Sequence, residues 1–167
     1  RTFTDSNSTK QNMGIVVIGK TSGTASNNKI TLSSSMTVDT MTINSNNTLD
    51  LGSSSYILKL ANAGSTATVL TNSGTLTPGT STVEYSATNS GGNINITTTT
   101  YNSLKTSGSE TYDLTGSLTS TNALTGDLEV GSGSTLDVRP ASTDYNITCR
   151  DVTVIGTLDG TSSSATL

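Results

Sequence analysis

A short phrase, in which a polar turn precedes Thr-Leu-Asp and an aliphatic residue, occurs twice in this chain and constrains its fold more than any other feature. It spans residues 45–51 and returns at residues 131–138. Within each copy a Thr-Leu pair recurs after roughly 20–27 residues, which is typical of one coil of a solenoid made of short strands. We therefore expect stacked coils in which the Leu of each pair points inward, while Asp50, Asp137 and Asp159 point outward.

Short runs of alternating apolar and polar residues recur along the whole chain. Residues 41–43, 128–130 and 152–154 are examples, and each run is bounded by Gly, Asn or Ser. Alternation of period two indicates strands, and no window shows apolar residues at helical spacing. The sequence thus predicts an all-β chain, with a β-solenoid (β-helix) of short strands as the preferred fold. A jelly-roll β-sandwich with a donated N-terminal strand is the alternative, because short alternating strands suit both folds.

The composition favours a folded chain with a narrow apolar core over a disordered chain. Apolar residues make up only 31% of the 167 residues, whereas Ser, Thr and Asn together make up nearly half. Disordered chains usually combine low hydrophobicity with high charge, but here charged residues are 12% and Pro occurs twice. A narrow solenoid core needs only one or two aliphatic side chains per strand, so this composition suits stacked coils.

Charge, aromatic content and cysteine content argue against several partners. The net charge is −4, no cluster of Lys and Arg is present, and the chain has one Phe and no Trp. A nucleic acid is therefore not expected as a partner. No stretch approaches the roughly 20 apolar residues of a membrane helix, so no membrane insertion is expected. Cys149 is alone, which excludes an intrachain disulfide, and we expect it to pack as a small residue on a strand.

The residues available for catalysis are few. His is absent, which removes the usual general base and the commonest zinc ligand. Some solenoid enzymes act on acidic polysaccharides through clustered Asp, calcium and Arg, and the densest charged group here contains Asp137, Arg139, Asp144, Arg150 and Asp151. We expect these five to form exposed ion pairs on a solvated face. The sequence predicts neither an enzyme nor a bound cofactor or metal.

Three segments resemble a known repeat class. Residues 101–119, 124–137 and 75–85 look like the Ser/Thr/Gly/Asn-rich β-solenoid repeats of large secreted and cell-surface proteins of bacteria and archaea. The resemblance covers roughly residues 36–160. Proteins of that class are adhesins, surface layers and fibres, so the resemblance implies an extracellular, cell-surface location and a role in structure and attachment.

The first 35 residues do not fit the repeat and hold the most apolar run of the chain, at residues 13–19. We therefore divide the chain into an N-terminal segment, residues 1–35, and a solenoid repeat domain, residues 36–167. The apolar run predicts either the first strand or cap of its own domain, or a strand donated to a neighbouring subunit. On the second interpretation the assembly residues are Met13, Ile15, Val16, Val17 and Ile18.

The Asn-x-Ser/Thr motif occurs at four positions, as often as chance gives in a chain so rich in Ser and Thr. On a secreted chain these asparagines are candidate glycosylation sites, and possible glycans join the expected partners: Asn7, Asn46, Asn95 and Asn146.

The sequence supports three functions. The first is a structural subunit of a pilus-like extracellular filament or surface layer, which polymerises head to tail with copies of itself through β-strand pairing. The second is an adhesin stalk or a carbohydrate-binding segment of a larger cell-surface protein. The third is a polysaccharide-active β-helix enzyme. One feature of the register points to the first function: residues 157–167 stop where the upstream copy continues into residues 82–85, which would leave a gap for a neighbour's strand. A truncated chain is the alternative explanation of the same feature.

Overall fold

The alternating runs form strands that wind repeatedly around one narrow core. The structure is a computed structural model that describes residues 1–20 and 27–161. Its strands are β1 (Thr2–Phe3), β2 (Ile15–Ile18), β3 (Lys29–Leu32), β4 (Met36–Val38), β5 (Thr40–Ile43), β6 (Thr48–Asp50), β7 (Ile57–Leu60), β8 (Ala63–Gly64), β9 (Leu70–Asn72), β10 (Thr75–Thr77), β11 (Thr82–Tyr85), β12 (Thr88–Asn89), β13 (Ile94–Ile96), β14 (Ser103–Thr106), β15 (Thr111–Leu114), β16 (Leu128–Val130), β17 (Thr135–Asp137), β18 (Val152–Val154) and β19 (Thr157–Asp159). Two 3₁₀ turns, Ser120–Asn122 and Pro140–Ser142, interrupt the later coils.

Each strand pairs with a strand of the preceding or following coil. Sheet A has the order β1-β3-β6-β10, sheet B β4-β7-β11-β14-β16-β18, sheet C β2-β5-β9, sheet D β8-β12 and sheet E β13-β15-β17-β19. Every strand pair among the described residues is parallel. A jelly roll is antiparallel, so the predicted β-solenoid is confirmed, with about 6 turns.

Sheet B runs along nearly the whole stack and sets the length of a coil. One inward column of its ladder runs from Met36 through Leu58, Val83, Leu104 and Leu128 to Val152, which places successive rungs 21 to 25 residues apart. The first five residues of this column are at most 4% exposed. Stacking like side chains on successive rungs fills the core with one or two aliphatic residues per strand, as the composition predicts.

The Thr-Leu-Asp phrase marks an inward Leu, as predicted. Leu49 pairs in register with Leu76, and Leu136 pairs with Leu158. Leu49 and Leu136 are fully buried. The two copies of the phrase nevertheless lie on different sheets: β6 belongs to sheet A and β17 to sheet E. The phrase thus specifies a strand with one buried side chain, and the side of the solenoid that it occupies depends on the neighbouring coils.

The first 35 residues contribute strands to the same ladders. β1 and β3 form the start of sheet A, and β2 starts sheet C by pairing with β5. The division after residue 35 stays a prediction. The predicted stop part-way through the last coil involves residues 162–167, which lie outside the described residues.

A buried tyrosine cluster fills the middle of the stack. The Thr97 amide donates to the Tyr85 hydroxyl at 3.2 Å, and the Tyr85 and Tyr101 hydroxyls lie 2.9 Å apart. Tyr101 donates in turn to the Thr97 carbonyl at 2.6 Å, which closes a ring of hydrogen bonds. The Tyr112 ring meets the Tyr85 ring edge-on at 6.4 Å. Burial raises the pKa of both Tyr85 and Tyr101, so both hydroxyls stay protonated and satisfied.

The outer face of sheet B carries an alternating ladder of charges. Lys59, Glu84, Lys105 and Glu129 occupy one column on successive rungs. Lys59 lies 3.2 Å from Glu84, and Lys105 lies 2.9 Å from Glu129. A register slip that brought two residues of like charge together would be unfavourable, so this column helps to fix how the coils stack.

No helix of the described chain is long and apolar enough to cross a bilayer.

Candidate functional site

The last coil leaves inward-facing apolar side chains exposed. Val154 pairs with Val130 and Leu158 pairs with Leu136, and all four side chains point toward the core. Val130 and Leu136 are fully buried, whereas Val154 is 45% and Leu158 44% exposed. The difference arises because, among the described residues, the inner rungs are covered on both sides and the rung formed by β18 and β19 on one side only. This end of the solenoid is therefore an open cross-section of the core.

The open last coil contains an apolar pocket of about 220 Å³. Six of the residues that line it are Val138, Tyr145, Ile147, Cys149, Val152 and Leu158. Cys149 is half-buried against the core, as expected for a small packed residue, but it lies outside any strand, between the Ile147 bridge and β18, so the strand predicted for it is wrong. Burial raises the pKa of its thiol. A protonated thiol is a weak nucleophile, so Cys149 contributes little reactivity to the pocket. What the pocket offers is the apolar surface of its lining side chains.

The backbone at this end can accept another strand. The Thr157 amide donates to the Ser134 carbonyl at 2.9 Å, and the Val138 amide donates to the Asp159 carbonyl at 2.9 Å. In a parallel ladder, alternate residues direct both backbone groups to the same neighbour. The amide and carbonyl of Leu158 therefore face the open edge of β19, where a further parallel strand can pair.

The opposite end is formed by β2, which contains most of the predicted assembly residues. Ile18 is 6% exposed and Val16 is half-buried, so both point into the core. Ile15 and Val17 point outward and are 74% and 38% exposed. The Asn44 amide donates to the Ile18 carbonyl at 3.1 Å, so by the same alternation the backbone groups of Val17 face away from β5. β2 is the first rung of its own chain, and its pairing with a neighbouring copy stays a prediction.

Met13, the remaining predicted residue, lies at the start of an inward column. Asn12 forms a parallel bridge with Thr37, which places Met13 beside Val38. From Val38 the column continues through sheet B and ends at Val154. Met13 is 49% exposed. Within residues 1–20 and 27–161, the same column of core side chains is therefore open at both ends of the solenoid.

The charged group singled out in the sequence forms two sets of contacts. The contacts of Arg150 are exposed as expected, whereas Arg139 is half-buried, with its side chain 22% exposed, so the expected exposed face is wrong for this residue. Arg139 Nε lies 3.0 Å from Asp144 Oδ1, and the Arg139 amide donates to Asp137 at 2.7 Å. Arg150 binds Asp127 through two nitrogens at 2.8 and 2.9 Å and lies 3.4 Å from Asp151. Within residues 1–20 and 27–161, no group of three or more Cys, Asp or Glu side chains is arranged to hold a metal ion.

The four candidate glycosylation sites differ in position. Asn46 is exposed in the turn between β5 and β6, with a φ of 65°. Asn7 is exposed in the first coil, and Asn146 is exposed at the rim of the apolar pocket of the last coil. Asn95 lies half-buried in β13, where its side chain donates to the Thr68 hydroxyl at 3.4 Å. Asn46 is thus the exposed site on the side of the stack, whereas Asn7 and Asn146 lie toward its ends.

The sequence indicated the strand that contains Val152 and Val154 but did not identify these residues as part of a site. Their alternation is the same as in buried strands, and only their place on the last rung exposes them. Comparison with protein-family models, with curated proteins and with solved structures finds no match to this chain.

Proposed function

We propose that this chain is a structural subunit of an extracellular filament or surface layer that polymerises head to tail through β-strand pairing. One observation carries the proposal: at both ends of the solenoid, core-facing apolar side chains and strand edges are exposed together, as at Met13 and Val154. Stacking the first coil of one copy on the last coil of another would bury both surfaces. Such a contact joins two different surfaces, and because copies stacked along the solenoid axis keep their free ends apart, it propagates into a fibre.

The strand edges suggest how the junction forms. Sheets C and E adjoin, because Thr68, two residues before β9 of sheet C, forms a bridge with Asn95 in β13 of sheet E. β2, the first strand of sheet C, would therefore extend sheet E of a neighbouring copy by pairing with its β19. The segment around Met13 would follow β18 in the column that ends at Val154. Backbone hydrogen bonds would then run from copy to copy, which would make the polymer stiff.

The junction has a consequence for glycans. A sugar on Asn146 would occupy the rim of the pocket that the next copy covers, whereas a sugar on Asn46 would project from the side of the stack. The proposal therefore predicts that Asn146 is unmodified in assembled material and that Asn46 is the better acceptor. The extracellular location itself rests on the resemblance to secreted repeats.

The same open ends also fit a second function. In an adhesin stalk or a carbohydrate-binding segment of a larger cell-surface protein, further coils of the same polypeptide would cover both ends. The isolated chain would then be a monomer, whereas a filament subunit would polymerise.

The experiment is negative-stain electron microscopy with two proline variants. Val17→Pro removes an amide that faces the open edge of β2, and Leu158→Pro removes one that faces the open edge of β19, so both leave the chain's own ladders intact. We expect filaments from the unmodified chain and single particles from each variant. In a mixture, the intact β19 edge of the Val17→Pro variant can pair with the intact β2 edge of the Leu158→Pro variant. The outer edges of that pair are both blocked, so assembly should stop at dimers.

Circular dichroism checks that both variants keep their strand content. Filaments from Val17→Pro would show that this edge of β2 does not form the junction. Monomers of the unmodified chain at every concentration tested would overturn the filament proposal and leave the stalk as the better account.

A further inference from the structure

Charge is distributed unequally along the solenoid axis. Residues 1–35 contain four basic residues and one acidic residue, whereas residues 110–167 contain eight acidic and two basic residues. Because successive segments of the chain form successive coils, this difference in sequence becomes a difference between the two ends. The end formed by β1 and β2 is basic, and the end formed by β18 and β19 is acidic.

The basic end carries its charge around the exposed rung. The Thr31 amide donates to the Arg1 carbonyl at 2.8 Å, so Arg1 lies on the first rung of sheet A. Arg1 and Lys20 both line a depression of about 360 Å³ beside Ile18. Lys29 begins β3, the next rung of sheet A, and pairs with Asp50 at 2.8 Å.

The acidic end carries carboxylates around the apolar pocket. The side chains of Asp144 and Asp151 are each 75% exposed. Asp159 lies on β19 and completes a column in which Asp113, Asp137 and Asp159 occupy successive rungs of sheet E. Arg139 pairs with Asp144, and Arg150 pairs with Asp127 and Asp151. Two arginines thus face five carboxylates in this region, those of Asp127, Asp137, Asp144, Asp151 and Asp159, so the face keeps a negative excess.

We propose that these opposite charges make the assembly unidirectional, with the basic first coil of one copy docking on the acidic last coil of another copy of this chain. This inference rests on the proposed function and adds what selects the partner end. Two basic ends or two acidic ends repel each other, whereas unlike ends attract over the Debye length, so the charges both reject the wrong contact and accelerate the right one.

The first measurement is filament elongation by the unmodified chain, followed by light scattering as the salt concentration rises. Electrostatic steering weakens as ions screen it, so the elongation rate should fall about tenfold between about 20 and 500 mM salt. Elongation driven by apolar burial alone would keep its rate or accelerate with salt. That result would overturn the inference while the filaments themselves still support the proposed function.

The second measurement reverses the charges. Arg1→Glu with Lys20→Glu makes the first coil acidic, and Asp151→Lys with Asp159→Lys makes the last coil basic. At about 20 mM salt, each pair alone should slow elongation about tenfold or more. A chain with all four substitutions has the original net charge and complementary ends again, so it should elongate at close to the original rate.

The four-substitution chain is the control for folding, because it carries every change and is still expected to assemble. Unchanged rates in both two-substitution variants would overturn the inference. So would slow elongation of the four-substitution chain with native strand content by circular dichroism. No filaments from the unmodified chain at any salt concentration would instead overturn the proposed function.

Discussion

Leu158 lies directly over Leu136 in the ladder of sheet E, yet Leu136 is fully buried and Leu158 is 44% exposed. The two side chains have the same neighbours within their strands, since each stands between Thr and Asp. Covering apolar surface contributes about 25 cal/mol for each Å² removed from water, so a further rung on Leu158 would be stabilising.

Val154→Asp should prevent assembly while leaving the isolated subunit stable. The side chain is 45% exposed, so we expect the free energy of unfolding to fall by less than about 1 kcal/mol. In a junction the carboxylate would be buried without a partner, which is strongly unfavourable. Thr153→Asp is the matched control, because Thr153 is exposed on the outer face of the same strand. Sedimentation velocity measures assembly, and equal loss of assembly in both variants would contradict the prediction.

Asp113→Asn should stabilise the fold at neutral pH. Burial raises the pKa of the Asp113 carboxyl, and Asp137 raises it further, against the lowering effect of the Asn93 hydrogen bonds. A carboxyl whose folded pKa exceeds its unfolded pKa loses stability as the pH rises through the folded value. The variant should therefore be more stable by about 0.5 kcal/mol at pH 7, the scale of exposed charge pairs, and equal to the original chain below about pH 3.

The control is Asp159→Asn on the same column, for which the sign is reversed. The hydroxyl and amide of Thr161 donate to Asp159 at 2.6 and 2.8 Å, and these bonds lower its pKa. Its stabilising contribution is present above the unfolded pKa and is lost as the pH falls through the folded pKa. Asp159→Asn should thus destabilise at pH 7. Urea unfolding across pH measures both variants, and shifts of the same sign would refute this account of the column.

Tyr85→Phe should destabilise the middle of the stack by about 1–3 kcal/mol, the range for a buried polar group left without its partner. The change removes the acceptor of the Thr97 amide and the partner of the Tyr101 hydroxyl together. Tyr56→Phe, in a half-buried position on the third coil, should change the free energy of unfolding much less. Equal effects in urea unfolding would show that the buried hydrogen-bond ring does not stabilise the fold.

Gly79→Ala should destabilise the stack by more than about 2 kcal/mol, because it combines backbone strain with a clash. Gly79 has a φ of 55°, and an added Cβ would lie 1.7 Å from the carbonyl oxygen of Gly52 in the turn of the preceding coil. Gly14→Ala is the control: its φ is 69°, but an added Cβ would meet nothing within 4 Å. That variant should lose only about 1 kcal/mol, the strain of a left-handed residue. Similar losses in thermal unfolding would mean that close stacking of the turns is unimportant.

The sequence determined the local features of this fold. Alternation of period two places β16 and β18, and the Thr-Leu-Asp phrase identifies Leu49 and Leu136 as core residues, because both signals depend on neighbours along one strand. The order of charges is also a property of the sequence, since the basic residues lie early in the chain and the acidic residues late. In a solenoid, such an order along the chain becomes an order along the axis.

Only the tertiary structure decided which rungs are covered and which are open. Val130 and Val154 occupy the same column and the same kind of strand, yet one is fully buried and the other is 45% exposed. The two copies of the repeated phrase likewise lie on different sheets, because the coil against which a strand packs sets its place. Burial in a stack depends on the neighbouring coil, some 21 to 25 residues away on sheet B, and alternation within one strand carries no information about that neighbour.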